Sequence, residues 1–144
     1  MSSQKVIKIH TDGASRGNPG DAAIGIIIYD INGTIIASYK EYIGKQTNNY
    51  AEYSALVKSL EIANNIETEY DKIEFYTDSE LMVKQLTGRY SIKNENLRNL
   101  SLKFTKEMKI LGKPYEIFHI RRENNKDADR LANEALNEVL KQKV

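Results

Sequence analysis

Residues 6–43 read VIKIHTDGASRGNPGDAAIGIIIYDINGTIIASYKEYI, and this stretch sets the fold class. Val6 to Thr11 is β-branched and halts at Asp12-Gly13, which predicts a first strand. Asp12 to Asp21 is rich in turn residues, with Gly13, Gly17, Asn18-Pro19 and Gly20. Ala22 to Ile31 and Thr34 to Ile43 are apolar, β-branched runs on either side of Asn32-Gly33. Asn-Gly between two such runs is a strong hairpin signal, so the chain opens as an antiparallel meander of three strands.

Downstream the period changes. Tyr53, Leu56, Val57, Leu60 and Ala63 share a helical face within Asn49 to Ala63. Lys72 to Thr77 is a short strand that ends at Asp78-Ser79. Glu80 to Leu86 and Asn96 to Leu111 read as helices, stopped by Gly88 and Gly112. Pro114 to Ile120 is a fifth strand, Arg121 to Asp127 a polar connection, and Ala128 to Leu140 a last amphipathic helix. A meander followed by α/β crossovers predicts an α/β fold: a mixed five-stranded sheet, three antiparallel strands then parallel ones, with helices on both faces. No repeat or long linker interrupts residues 1–144, which are expected to form a single domain.

Composition narrows the chemistry. The 144 residues include no cysteine and two histidines, so thiolate chemistry is excluded and a metal site must draw mainly on carboxylates. Oxygen donors favour hard cations such as Mg²⁺ or Mn²⁺. Lys and Arg number 21 against 20 Asp and Glu, and this balance alone neither indicates nor excludes a polyanionic partner. The longest apolar run, Ala22 to Tyr29, is too short to span a bilayer, and MSSQKVIKIHTDG lacks the apolar core of a signal peptide. The expectation is a cytoplasmic, monomeric protein without a membrane partner.

Four acids occupy suggestive places. Asp12 and Asp78 follow predicted strands, and Glu52 and Asp129 stand near predicted helix starts, at the edge of or on the inward stripe. Each has a plain structural reading. Asp12 could open a turn, Asp78 could cap the following helix, Asn49 and Glu52 could form a capping box, and Asp129 could favour the positive end of its helix. Converging carboxylates repel one another unless cations compensate them. A pair of divalent ions about 3.5–4 Å apart is a recurring arrangement for cutting phosphodiesters.

The surrounding motifs add specificity. IHTDGASRGNPGDAAIGIII, TNNYAEYSAL, FYTDSELMVKQL and HIRRENNKDADRLANEAL resemble, in the same order, the motifs of type 1 ribonuclease H from Ile9 to Leu136. The resemblance implies a ribonuclease H-like fold. It also implies an endonuclease that cuts the RNA strand of RNA/DNA hybrids with two Mg²⁺ or Mn²⁺ ions, leaving 5′-phosphate and 3′-hydroxyl ends. It assigns Asp12 and Asp78 as ligands between the metals, Glu52 as a ligand that also meets the RNA 2′-hydroxyl, and Asp129 as the ligand on the water side. Hybrid contacts are implied for Gly13 and Ala14 near the 2′-hydroxyl, for Asn18, Asn48 and Asn49 in the minor groove, and for Thr47 at a DNA phosphate. Arg122 and Asn125 in the last loop are implied as further contacts. For Asn48 and Asn49 the structural alternative is helix capping, and for Gly17 to Gly20 it is a plain turn.

The sequence also departs from the pattern. The connection Arg121 to Asn125 is too short for the long His-bearing loop of many members, so that histidine has no counterpart here. His119 precedes the loop and is expected on the strand. GRYSIKNENLR, Gly88 to Arg98, is too short and too weakly basic for the family's basic protrusion. The chain thus resembles a compact branch of the family. The competing readings are a noncatalytic ribonuclease H-like module that binds nucleic acid or protein, and another nuclease or transposase on the same fold.

Overall fold

The computed structural model describes residues 4–142. Its elements are β1 (Val6–Gly17), β2 (Gly20–Tyr29), β3 (Ile35–Gln46), α1 (Asn48–Ala63), β4 (Lys72–Thr77), α2 (Glu80–Leu86), α3 (Glu95–Leu111), β5 (Tyr115–His119), a 3₁₀ turn (Arg122–Asn124) and α4 (Lys126–Gln142). The strands form one sheet in the order β3-β2-β1-β4-β5. β1 pairs antiparallel with β2, and β2 with β3. The pairings β1–β4 and β4–β5 are parallel. This is the expected meander followed by crossovers.

β1 runs further than its sequence suggests. Pairing with β2 continues to Gly17↔Gly20, so Asp12 lies within the strand rather than at its end. The Gly-rich stretch reads as one long turn, but both of its sides stay in register and only Asn18 and Pro19 are left to reverse the chain. β4 stops sooner, with His10↔Tyr76 as the last pair against β1. Asp12 therefore still projects beyond the end of β4, where Asp78 follows Thr77.

Strand alternation divides the side chains between two faces. Ile7, Ile9, Ile24, Ile26, Ile28, Ile73 and Phe75 meet Tyr53, Leu56 and Leu60 of α1 and Phe104 and Met108 of α3 in the main core. On the opposite face Ala23 packs with Ala135 and Leu136 of α4. At Gly25 the fit is tighter still. A Cβ there would lie 2.1 Å from the Ala128 carbonyl oxygen and 2.8 Å from the Ala132 nitrogen. The absence of a side chain is what lets α4 settle on β2 beside Asp12, the cross-strand partner of Gly25.

Helix caps fall on residues other than those the sequence suggested. Thr47 caps α1 by accepting from the Tyr50 N–H at 3.2 Å, and Ser79 caps α2 by accepting from the Met82 N–H at 3.2 Å. Glu52 is therefore not part of a capping box and Asp78 is not a cap. α4 starts at Lys126, two residues before the expected Ala128, which places Asp129 in its first turn. Among the described residues no helix is long and apolar enough to cross a membrane.

Candidate metal centre

The C-terminal half of β1, the end of β4 and the N-terminal parts of α1 and α4 meet around a cleft of about 480 Å³. Asp12, Glu52, Asp78 and Asp129 all line it. Asp12, Glu52 and Asp78 each offer a carboxylate oxygen within 4.8 Å of the other two. Asp129 stands outside this tight trio but is near enough to Asp12 to act on its proton.

Backbone proximity produces this convergence. A Cβ on Gly13 would sit 2.3 Å from the Ala51 carbonyl carbon and 2.4 Å from the Glu52 nitrogen, so α1 rests directly on β1. The Gly13 N–H donates to Glu52 Oε1 at 2.5 Å. Asp12 is 4% exposed and Glu52 8%. Burial, followed by the Asp78 charge and the Asp129 carboxyl, pushes the Asp12 carboxyl up to about 8. Burial, then the charges of Asp12 and Asp78, holds Glu52 well above the usual carboxylate range, against the opposing effect of the Gly13 N–H.

Acids crowded this way need protons or cations to neutralise them. The donors are all hard oxygens, and the cleft opens to solvent on a rim of Arg16, Arg121 and Arg122. A hard divalent cation such as Mg²⁺ or Mn²⁺ fits this donor set.

The residues expected to contact a substrate divide into groups. Gly13, Ala14, Asn48, Asn49 and Arg122 line the cleft. Asn48 Oδ1 is taken by the Ser15 N–H at 3.0 Å, and the Asn48 N–H donates to Asn18 Oδ1 at 3.1 Å. Asn18 and Thr47 are exposed beside the cleft, where Asn18 braces the hairpin and Thr47 caps α1. Asn125 does not reach the cleft. It is 1% exposed, its Nδ2 donates to the Thr11 carbonyl at 2.9 Å, and its Oδ1 lies 3.3 Å from His10 Nδ1. His119 pairs with Thr77 at the end of β5, as expected, yet it also lines the cleft.

Sequence reasoning missed Arg16 and Asn133, which also line the cleft. Asn133 follows Asp129 by four residues, a spacing that places two helical side chains on one face, so that signal was available. Arg16 gave none, because its position depended on the unforeseen extension of β1.

A family profile described as "Reverse transcriptase-like" matches residues 10–135. Ribonuclease HI of Halobacterium salinarum is 41% identical over 92% of this chain. Bifunctional protein Rv2228c of Mycobacterium tuberculosis is 34% identical over 90% of it. The chain spans 65% of the length of the first relative and 35% of the second. The crystal structure of the halobacterial RNase H1 superposes with a TM-score of 0.85 at 40% identity, covering 92% of this chain and 98% of that one. LC11-RNase H1 in complex with an RNA/DNA hybrid gives a TM-score of 0.85 at 39% identity, covering 93% and 99%.

Proposed function

Because the chain belongs to the type 1 ribonuclease H family, we propose that it is an endonuclease that hydrolyses the RNA strand of RNA/DNA hybrids, leaving 5′-phosphate and 3′-hydroxyl ends. One observation carries the reading: Asp12, Glu52 and Asp78 converge within 4.8 Å in a cleft they share with Asp129. On this proposal the four carboxylates hold two Mg²⁺ or Mn²⁺ ions. Bound there, such ions would supply activation of the attacking water and stabilisation of the departing 3′-oxygen.

The chain's own residues bind and orient the substrate. Gly13 and Ala14 lie on the cleft wall with Glu52, and their backbone can approach a ribose 2′-hydroxyl, the group that distinguishes RNA from DNA. Asn49, exposed at the start of α1, is free to reach a minor groove, and Asn48 and Asn18 hold that edge in shape. Thr47 is exposed at the start of α1, and on this reading it meets a phosphate of the DNA strand. Arg16, Arg121 and Arg122 place positive charge at the rim, where a polyanion would enter. Burial keeps Asp12 and Glu52 poorly hydrated, which strengthens their attraction for a cation.

Residues 1–144 act as one catalytic domain on this reading, monomeric and cytoplasmic. A noncatalytic module would have no need to hold buried acids against one another. The test is to incubate labelled RNA/DNA hybrid, double-stranded RNA and double-stranded DNA with the protein, with Mg²⁺ or Mn²⁺ in turn. Scission of the RNA strand of the hybrid is expected, reduced about a thousandfold or more in Asp78→Asn. Hybrid binding with no scission in either metal would favour the noncatalytic module.

A further inference from the structure

Asp129 is set apart from the other three acids. It sits on α4 and lies outside the tight trio. Arg122 offers little restraint, at 3.9 Å from Asp129 Oδ1 with its own side chain 81% exposed.

A firmer hold comes from one turn further along α4. Asn133 Nδ2 donates to the Asp129 carbonyl at 2.9 Å and to Asp129 Oδ1 at 3.1 Å. Arg16 on β1 reaches across to α4, where its Nη2 donates to Asn137 Oδ1 at 2.8 Å and to Asn133 Oδ1 at 3.3 Å. A guanidinium can only donate, so it fixes which end of the Asn133 amide faces it. The NH₂ end is thereby turned toward Asp129. With Oδ1 engaged, Oδ2 is the oxygen left for a cation.

We infer that Asn133, oriented by Arg16, is a positioning residue that aims the Asp129 carboxylate into the cleft. The inference rests on the metal-dependent reading above and adds to it a support that orients a ligand from outside. It also links the β1–β2 hairpin to the fourth carboxylate. Helix propensity offers no reason for an asparagine at this position, because Ala would suit the interior of α4 better.

The test uses metal-free protein without substrate. Mn²⁺ binding is measured by titration calorimetry, and thermal unfolding is followed in parallel. Asn133→Ala is expected to weaken binding of one ion about tenfold, while metal-free stability holds or rises slightly. Arg16→Ala is expected to shift affinity in the same direction by less. In an Asp129→Asn background, Asn133→Ala is expected to change nothing further, the pattern of two residues acting through one contact. Unchanged Mn²⁺ affinity in Asn133→Ala would overturn the inference, as would an equal loss in the Asp129→Asn background. Unchanged affinity in Arg16→Ala would remove Arg16 from the assignment. If the unaltered protein bound no Mn²⁺, the metal-dependent reading itself would fall, and the inference with it.

Discussion

The Gly13 backbone N–H donates to the Glu52 carboxylate at 2.5 Å, and this contact joins the strand that carries Asp12 to the helix that carries Glu52. It exists because Gly13 has no side chain, so the backbones of β1 and α1 come together with nothing between them.

Gly13→Ala should therefore lower both stability and activity. The new methyl would overlap the Ala51–Glu52 peptide, so the helix must shift. Overpacking of this kind costs about 1–3 kcal/mol, measurable by urea unfolding. Gly25→Ala should act alike from the other face by pushing α4, and Asp129 with it, away from β2. Near-normal stability and turnover in both variants would contradict this packing.

Stability of the metal-free protein should fall as pH rises. The Asp12 carboxyl is held up at about 8 in the folded chain, whereas an unfolded aspartate titrates near about 4. Across that window the folded state keeps a proton that the unfolded state has released, so rising pH favours unfolding. This contribution is complete below the lower value and lost as pH passes the upper one. Glu52 acts in the same direction. Thermal unfolding between pH 5 and pH 8 should show the decline. Asp12→Asn should flatten it, and Mg²⁺ should reverse it most at the alkaline end. A flat profile in the metal-free parent would contradict the crowding of charge.

Asn125→Ala separates support from contact. It removes a buried hydrogen bond to the Thr11 carbonyl and leaves His10 Nδ1 without its Asn125 partner. The expected loss is about 1–3 kcal/mol of stability. KM for the hybrid should change little, because the side chain does not reach the cleft. A large KM effect with stability intact would restore Asn125 as a direct contact.

Much of the architecture could be read in the chain. The strand order of the first half followed from β-branched runs and Asn32-Gly33, and the helices followed from apolar spacing. The four acids stood out by position, and the motifs around them gave their family. The path of β1 beyond Asp12 was hidden, because Gly, Asn and Pro signal turns whether or not the flanking residues remain paired. The caps were displaced for a related reason: Thr47 and Ser79 lie next to equally good candidates, and only the helix start decides between them. The resemblance implied a substrate contact at Asn125, and nothing local announces that a loop amide turns inward to a strand carbonyl 114 residues away in sequence.

On the proposed function, the carboxylates of β1, α1, α4 and the residue after β4 surround divalent cations. Anomalous diffraction from crystals soaked in Mn²⁺ tests it most directly. Two peaks about 3.5–4 Å apart, bounded by Asp12, Glu52, Asp78 and Asp129, are the expected result. A cleft without anomalous signal, in crystals that bind Mn²⁺ elsewhere, would contradict the account.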